Sequence, residues 1–433
     1  MVLNTKAVRR AAVAATAASL LAITGCSSDS GSGDASGENT GGRGPISFAM
    51  GKNDTDKLTP VIASWNAAHP DEKVELKELP GEADDQRDKL VQSLQAGNSD
   101  YDVMALDVTW TAEFAANGWL QPLEGDLAIE TSGLLPATVA SATYHDKLYA
   151  APQNTNAQLL YYRTDLAPTA PANWQALTDS CAAATAKSVD CLVTQLKQYE
   201  GLTVNTTQAI NSWGGAVVGA DGQTPEVESP EAKAGLKSLV DAYEKGQIAK
   251  RSTGFTEEET NLAFVGGESM YAYNWPYMYT NAEKDSSKVK GNVAVAPIVG
   301  PAGPGASTLG GYNNGINVNS KSKQTARDFV EFVQNPENQQ AFADASFPPV
   351  LASVYDDAAL IAKYPYLPAL KAALENAVPR PVTPFYNAVT KAIQDNAYAA
   401  ITGKKSVDQA RAGAGRAVSA PAAEHTPARQ NQT

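Results

Sequence analysis

The stretch from Leu262 to Thr280 reads LAFVGGESMYAYNWPYMYT, and the interpretation of the fold starts from it. Aromatic side chains occupy every second position in its second half: Tyr271, Tyr273, Trp275, Tyr277 and Tyr279. Period two is the period of a β-strand, so on an extended chain these rings would share one face. Pro276 lacks the N–H of a ladder member, which predicts a strand over Met270–Asn274 and then a turn presenting Trp275 and Tyr277.

This aromatic pattern has two interpretations. Flat rings held beside polar groups suit a ligand that has both C–H faces and hydroxyl groups, as a sugar has. The same pattern fits the edge of a core strand, where the rings pack against apolar neighbours. The stretch alone favours neither, so the rest of the chain must decide between a binding face and a core strand.

The first 25 residues have the pattern of a secretory signal peptide. Three basic residues precede a mostly small and apolar run (residues 11–23) that is too short to span a bilayer. Residues 21–26, LAITGC, resemble a lipobox, so Cys26 is predicted to be lipidated, and the Ser/Gly-rich residues 26–44 to form a flexible tether. The alternative is an ordinary export signal with a chance cysteine.

Length and charge limit the possible classes of protein. The formal net charge of −13 predicts repulsion from nucleic acid and from anionic membrane surfaces. After the leader there is no run of about 18 apolar residues, so the lipid anchor is the only predicted membrane attachment. A chain of 433 residues exceeds a single ordinary core, which predicts two lobes.

Two further cysteines, Cys181 and Cys191, lie ten positions apart. In an exported chain they are predicted to form a local disulfide that closes a small loop. A metal site is the weaker alternative, because the histidines are scattered without ligand spacing: His69, His145 and His425. We therefore predict neither a metal nor a cofactor.

Strand and helix patterns alternate through the first part of the chain, which predicts a parallel α/β sheet. Strand patterns lie at 46–49, 74–76 and 101–106, with helix patterns between them. Ligands of such sheets bind beyond the carboxyl ends of the strands. Asn53 and Asp54 follow the first strand and Asp107 follows the third, so these residues are binding candidates.

The later chain is punctuated by polar and glycine-rich runs. Gln153–Asn156 lies between two strands and predicts a crossing between lobes, and the Gly/Asn-rich residues 307–319 predict the return. The remaining predictions are a helix over 110–120, largely helical structure over 171–250, a solvated helix start at Glu257–Glu259, a helix over 325–333 and a disordered tail from about Ser419.

A series of motifs now matches a known family in order and spacing. They are Asp54, WNAAHP (65–70), YDVMALDVTW (101–110), LYAAPQNTNAQLLYYRTD (148–165), KQYEGL (197–202), NWPY (274–277), LGGYNNGIN (309–317) and PRPVTPFYNAV (379–389). From about residue 45 to 415, the chain strongly resembles the extracellular solute-binding lipoproteins of bacterial ABC sugar importers. The trehalose/maltose-binding type is the most similar branch.

The resemblance implies an α/β fold of the periplasmic-binding-protein (Venus flytrap) type, with two lobes, a multi-strand hinge and a ligand cleft. Each lobe is implied to be discontinuous. The N-terminal lobe takes 45–152 and about 312–352, the C-terminal lobe takes about 153–311 and 353–418, and 419–433 remain as the tail.

The resemblance also implies ligand contacts, which are Asn53, Asp54, Asp107, Asn154, Glu200, Trp275, Tyr277, Gly311, Tyr312 and Arg380. Trp275 is implied as the platform on which the ligand stacks. Asp107 and Glu200 resemble acceptors for ligand hydroxyls, and Arg380 resembles a donor. The ligand identity is left open by Tyr312, where the family often has Trp, and by the amides of Gln153–Asn156, where a carboxylate is common.

The implied function is to capture an α-linked disaccharide or oligosaccharide, trehalose-like or maltose-like, and to deliver it to the permease subunits of the importer. The protein is implied to be a lipid-anchored monomer on the outer face of the cytoplasmic membrane, and not an enzyme. The alternative is a cell-surface glycoside hydrolase or transglycosylase. That activity requires two carboxylates about 5–9.5 Å apart, and Asp107 and Glu200 are the candidate pair.

Overall fold

The computed structural model describes residues 42–219 and 224–424. The predicted signal peptide, Cys26 and most of the predicted tether lie outside these ranges, so their assignments stay predictions. Within these ranges no helix has both the length and the apolar character needed to cross a membrane.

Short strands occur throughout the described chain. They are β1 (Ile46–Gly51), β2 (Val74–Leu79), β3 (Val103–Asp107), β4 (Thr143–Tyr144), β5 (Lys147–Leu148), β6 (Ala150–Ala157), β7 (Leu159–Arg163), β8 (Asp190–Val193), β9 (Ser269–Asn274), β10 (Val293–Pro297), β11 (Thr308–Ile316) and β12 (Val378–Pro379).

Helices connect and cover these strands. They are α1 (Thr55–Ala68), α2 (Ala83–Gln95), α3 (Thr111–Ala116), α4 (Pro136–Ser141), α5 (Trp174–Ala186), α6 (Glu200–Ser212), α7 (Pro230–Glu244), α8 (Glu257–Val265), α9 (Tyr277–Ala282), α10 (Lys323–Val333), α11 (Pro336–Asp344), α12 (Ala358–Lys363), α13 (Leu367–Glu375), α14 (Tyr386–Ile401) and α15 (Val407–Glu424). Short 3₁₀ turns lie at Gly125–Leu127, Lys250–Gly254 and Ala352–Tyr355.

The first sheet has the strand order β12-β11-β3-β1-β2, and β6 also pairs with β11. Strand β1 is parallel to both β2 and β3, as the alternating strand and helix patterns predict. Strand β11 enters from the other direction and is antiparallel to β3 and β6. Apolar side chains from α1 and α10 cover one face, and those from α2 and α3 cover the other.

The second sheet has the order β10-β7-β9-β8 and forms the centre of the other lobe. Its central strand β9 is the strand predicted from the opening stretch. The core on one face includes residues of α5, α6, α7, α14 and α15, and the core on the other includes residues of α8, α9 and α13. Two sheets, each buried on both faces, confirm the predicted two-lobed α/β fold.

The chain crosses from the first sheet to the second directly after the polar run Gln153–Asn156, but it returns before the segment 307–319 that was predicted to make the return, because most of that segment is strand β11. Gln153–Asn156 is not a loop; it lies inside β6, and Gln158 alone separates β6 from β7 of the second sheet. The strand continues because these residues pair with β11 through the Leu309–Gly315 register. The return is made by residues 298–307 between β10 and β11.

Two other local predictions are wrong. The helix predicted over 110–120 is only Thr111–Ala116, because Gly118 has a φ of 69° that continues no right-handed helix. The disordered tail predicted from Ser419 is replaced at its start by α15, which continues to Glu424. Residues 425–433 lie outside the described residues.

The disulfide prediction is confirmed, since Cys181 of α5 and Cys191 of β8 are bonded to each other. The bond ties a helix to the edge strand of the second sheet. Both residues belong to the apolar core of that lobe, so the link is structural and lies away from the cleft residues described next.

Candidate functional site

A cleft of about 90 Å³ lies between the loops that follow β1 and β2 and the start of α6. Nine predicted site residues line it: Asn53, Asp54, Asp107, Glu200, Trp275, Tyr277, Gly311, Tyr312 and Arg380. These residues come from both lobes and from chain segments more than 300 positions apart, so the fold brings together residues that are distant in the sequence.

Asn154 is the predicted site residue that does not line the cleft. It is 1% exposed, and its Oδ1 accepts a hydrogen bond from the backbone N–H of Tyr312 at 3.2 Å. It therefore holds β11 in place behind the site. Asn156, two positions further along β6, lines the cleft instead.

The opening stretch is divided by the structure. Tyr271 and Tyr273 are buried strand residues, 1% and 4% exposed. The strand ends at Asn274, and Pro276 directly precedes α9, so Tyr277 is the first residue of a helix and does not continue the strand. The five rings consequently do not share one face. Trp275 and Tyr277 are partly exposed and line the cleft, as predicted from Pro276.

Trp275 rests on the backbone of β11 at Gly310. A Cβ placed on Gly310 would lie 2.9 Å from two atoms of the Trp275 ring, so any other residue would displace the ring. The Tyr161 hydroxyl also donates to the backbone carbonyl of Trp275 at 2.9 Å. Trp275 is therefore fixed at its backbone carbonyl, and its ring packs against Gly310.

Gly311 must be glycine for a different reason from Gly310. Its φ of 122° lies in a region that L side chains rarely adopt, and a Cβ there would overlap the carbonyl oxygen of Asn154. The paired glycines thus serve two purposes, since one makes room for a ring and the other allows β11 to pass close to β6. Neither purpose is visible in the sequence alone.

Arg380 links the two walls of the cleft. Its side chain is 1% exposed, and its guanidinium donates to Asp107 Oδ1 at 2.9 Å and to Glu200 Oε1 at 2.6 Å. Asp107 ends a strand of the first sheet, and Glu200 begins α6 of the other lobe. A predicted donor to ligand hydroxyls is therefore also an ionic bridge between the lobes.

Glu200 has protein partners on both carboxylate oxygens. Oε1 also accepts from the Tyr386 hydroxyl at 2.5 Å, and Oε2 accepts from Thr390 Oγ1 at 2.5 Å. Burial raises the pKa of Glu200 to about 7, against the attraction of Arg380. The contacts make Glu200 a residue that positions Arg380, in addition to lining the cleft.

A lysine of opposite charge lies beside Asp54. Lys57 Nζ lies 3.6 Å from Asp54 and 5.4 Å above the ring of Tyr277, so one lysine contacts both walls. Burial raises the pKa of Asp54, opposed by the charge of Lys57. The Asn53 amide donates to the carbonyl of Gly81 at 3.0 Å and fixes the neighbouring loop.

Glu257 is a cleft residue that the sequence interpretation missed. It was expected to be a solvated helix start, but it lines the cleft, and the Tyr199 hydroxyl donates to its Oε2 at 2.6 Å. Burial raises the pKa of the Glu257 carboxyl, because the site withdraws it from water. The T-x-x-E capping box at Thr256 marks the helix start, but only the fold turns that start toward Trp275.

Other missed cleft residues include Asn156, Tyr199 and Phe347. Two of them lie in motifs that carry the resemblance, Tyr199 in KQYEGL and Asn156 in the motif at 148–165, so those motifs could have identified them. Phe347 lies in none of these motifs, and only the folded chain brings it to the cleft.

Direct contacts also join the walls at the edge of the cleft. Asp84, in the first turn of α2, accepts from the backbone N–H of Glu200 at 3.2 Å and from the Gln394 amide at 3.1 Å. Beside it, Lys197 and Glu82 form an ion pair. These contacts connect the N-terminus of α2 to the N-terminus of α6 and to α14, and they must separate when the walls move apart.

Two sheets joined by close crossings, with a polar and aromatic cleft between their lobes, define a two-lobed binding protein of the periplasmic-binding-protein class. The bacterial extracellular solute-binding protein family matches residues 61–369. The chain belongs to this family, which confirms the resemblance seen in its motifs. Because members of the family are binding proteins, the chain is not an enzyme, and the hydrolase alternative is wrong.

Individual relatives agree with this assignment. A probable ABC transporter-binding protein of Deinococcus radiodurans is 33% identical over 352 residues, which is 76% of this chain and 82% of that protein. The structure of maltose-bound MalE3 of T. maritima is 32% identical, has a TM-score of 0.82, and covers 86% of this chain and 98% of its own. The GacH receptor of Streptomyces glaucescens, solved unliganded and with acarbose, is 23% identical with a TM-score of 0.78, covers 89% and 100%, and shows the fold alone.

Proposed function

We propose that this chain is the substrate-binding component of an ABC sugar importer and captures an α-linked disaccharide or oligosaccharide, maltose-like or trehalose-like, in the cleft. The observation that carries the proposal is the Trp275 platform, held over Gly310 and faced by carboxylates of both lobes. The likeness to maltose-bound MalE3 supports a sugar as the ligand.

The chemistry of the cleft suits a hexose. Trp275 can cover the apolar C–H face of a sugar ring, a contact of a kind that contributes about 0.5–1.5 kcal/mol beyond buried area. Asp54 and Glu257 can accept from hydroxyls at the ring edge, because a carboxylate accepts several hydrogen bonds. A hydroxyl-rich neutral ligand satisfies these acceptors without a counter-ion.

Binding is coupled to movement of the lobes. The cleft encloses about 90 Å³, below the roughly 300–1,000 Å³ of pockets for drug-sized ligands. A disaccharide therefore enters only when the walls separate, which breaks the contacts of Asp84 and Lys197. The ligand favours the closed form by its differential affinity for that form, and permease subunits can then recognise the closed lobes.

Isothermal titration calorimetry with maltose, trehalose and maltotriose tests the proposal. Wild-type protein is expected to bind at least one of these sugars, and Trp275→Ala is expected to abolish binding while the fold remains. Trp119→Ala is the matched control, because Trp119 is a partly exposed tryptophan that packs on Phe114 away from the cleft. Full affinity in Trp275→Ala, or no binding of any α-glucoside by wild-type protein, would refute the assignment.

We further propose that Cys26 is lipidated and that residues 26–44 tether the lobes to the outer face of the cytoplasmic membrane. The support is the sequence pattern of residues 21–44 and the extracellular character of the family. Expression of Cys26→Ser in a bacterial host that lipidates exported proteins should move the protein from the membrane fraction to the soluble exported fraction. Retention of the variant in membranes would contradict the anchor.

A further inference from the structure

Glu257 differs from the other carboxylates that line the cleft in having no cationic partner. Asp54 lies 3.6 Å from the ammonium group of Lys57, and Asp107 and Glu200 share one arginine. In the described part of the chain, Glu257 is the cleft carboxylate that forms no ion pair. Its oxygens are therefore open to the hydroxyl groups of a neutral ligand.

The backbone of Glu257 is fixed to the segment that carries the aromatic platform. Its carbonyl accepts from the Asn274 side-chain amide at 3.1 Å and from the Tyr277 hydroxyl at 3.2 Å. Oδ1 of the same Asn274 side chain accepts from the backbone N–H of Trp275 at 2.9 Å. One buried amide thus joins Trp275 to the first residue of α8, so the indole ring and the start of that helix keep a fixed relation.

The side chain of Glu257 is held by Tyr199, which directly precedes α6. Tyr199 is 2% exposed, and its hydroxyl donates to Oε2 of Glu257 at 2.6 Å. A hydrogen bond to an ionised acceptor is about twice as strong as one between neutral groups. A carboxylate has about four acceptor positions, so this bond orients Glu257 and leaves positions for a ligand.

Gly201 makes room for this hydroxyl. A Cβ placed on Gly201 would lie 2.1 Å from the hydroxyl oxygen of Tyr199 and 2.3 Å from the ring carbon that carries it. Any side chain at position 201 would push the hydroxyl away from Glu257. The ring of Tyr199 therefore explains a glycine in the first turn of α6, where glycine is a poor helix former.

Held at its backbone and at its side chain, Glu257 is pre-organised for a ligand. A glutamate without such contacts samples several rotamers and loses that freedom when it binds. Here the loss occurs on folding. The elements that hold Glu257 are α6, α8 and β9, which all belong to the lobe of the second sheet, so the arrangement does not depend on closure of the cleft.

We propose that Tyr199 is a positioning residue for sugar binding, which holds the Glu257 carboxylate in place to accept a hydroxyl of the sugar unit stacked on Trp275. The inference rests on the proposed function, since it requires a sugar on the platform. Tyr199 also lines the cleft, so direct contact between its ring and the sugar is the competing explanation.

A double-mutant cycle on Tyr199→Phe and Glu257→Ala separates the two explanations. Calorimetry with maltose, trehalose and maltotriose measures the affinities of the full exported chain. Each single variant is expected to bind the sugars that wild-type protein binds about tenfold more weakly. The double variant is expected to bind within about twofold of Glu257→Ala, because the hydroxyl of Tyr199 then has no carboxylate to hold.

Two further variants complete the experiment. Tyr366→Phe is the matched control, because Tyr366 is 1% exposed and donates to the carbonyl of Ala343 at 2.9 Å but does not line the cleft. It should keep wild-type affinity. If Glu257→Ala does not fold or binds too weakly to measure, Glu257→Gln takes its place. The neutral amide accepts a weaker bond, so Tyr199→Phe should then lower affinity less than about threefold.

The outcomes are distinct. Wild-type affinity in either single variant, or the same tenfold loss from Tyr199→Phe whether or not Glu257 is present, would overturn the positioning role. Those results would leave sugar binding and its dependence on Trp275 in place. Failure of wild-type protein to bind any of the three sugars would overturn the proposed function, and the role of Tyr199 with it.

Discussion

Replacement of Glu200 by Gln should change how the stability of this protein depends on pH. Burial raises the pKa of Glu200 from an ordinary 4.5 to about 7. Between these values the folded state binds more protons than the unfolded state, so the free energy of unfolding falls as pH rises. The contribution of protonated Glu200 to the free energy of unfolding is fully present below pH 4.5 and is lost as pH rises through 7.

The size of the effect follows from the two pKa values. Proton linkage gives a loss of about 2 kcal/mol of stability from this one group between about pH 5.5 and pH 8. Burial of Asp54 and Glu257 also raises the pKa of each carboxyl, and both contribute with the same sign. The difference between wild type and Glu200→Gln isolates the part of the pH dependence that comes from Glu200, because Gln cannot ionise.

Urea denaturation followed by tryptophan fluorescence, at about pH 5.5 and pH 8, measures this difference. The change in unfolding free energy between the two pH values should be about 2 kcal/mol smaller in Glu200→Gln than in wild type. Glu375→Gln, a change at an exposed carboxyl, should leave the change unaltered. An identical pH dependence in wild type and Glu200→Gln would refute the reasoning that burial outweighs the attraction of Arg380.

Three other changes test separate parts of the structure. Asp84→Ala removes two contacts across the cleft and should weaken maltose affinity about tenfold in calorimetry, a loss of about 1.4 kcal/mol; an unchanged Kd would contradict a role in closure. Gly310→Ala should displace the Trp275 ring and lower affinity with little change in circular dichroism, and full affinity would show that the platform tolerates a Cβ. Replacing Cys181 and Cys191 by Ser should cost about 2–3 kcal/mol in urea denaturation while maltose affinity stays constant, and lost binding would show that the disulfide shapes the cleft.

Much of the candidate site could be predicted because short motifs keep their local meaning. Pro276 after an alternating run predicts where β9 ends, and the structure places Trp275 at that end. Asp107 was predicted as the residue that ends a buried strand, and it occupies that position beside the cleft. Such signals survive folding because strand ends and turns depend on neighbouring residues.

Other cleft residues could not be predicted, because their positions depend on distant pairing. The polar amide run Gln153–Asn156 is typical of a connecting segment, but pairing with β11 makes it part of a strand. Asn154 then turns to the backbone of Tyr312, and Asn156 reaches the cleft. Glu257 looks like a solvated helix start until α8 is packed beside β9.

The sequence by itself therefore determined the two-lobed α/β class, the end of β9 directly before Trp275 and the disulfide partners, since each depends on local spacing and composition. Only the tertiary structure decided that Arg380 bridges Asp107 and Glu200, because those charges are 273 and 180 positions away in the chain. The same holds for the aromatic stretch from Leu262 to Thr280. Its alternation predicts a strand, but contacts with Gly310 and Tyr161 fix the position of Trp275 at the cleft.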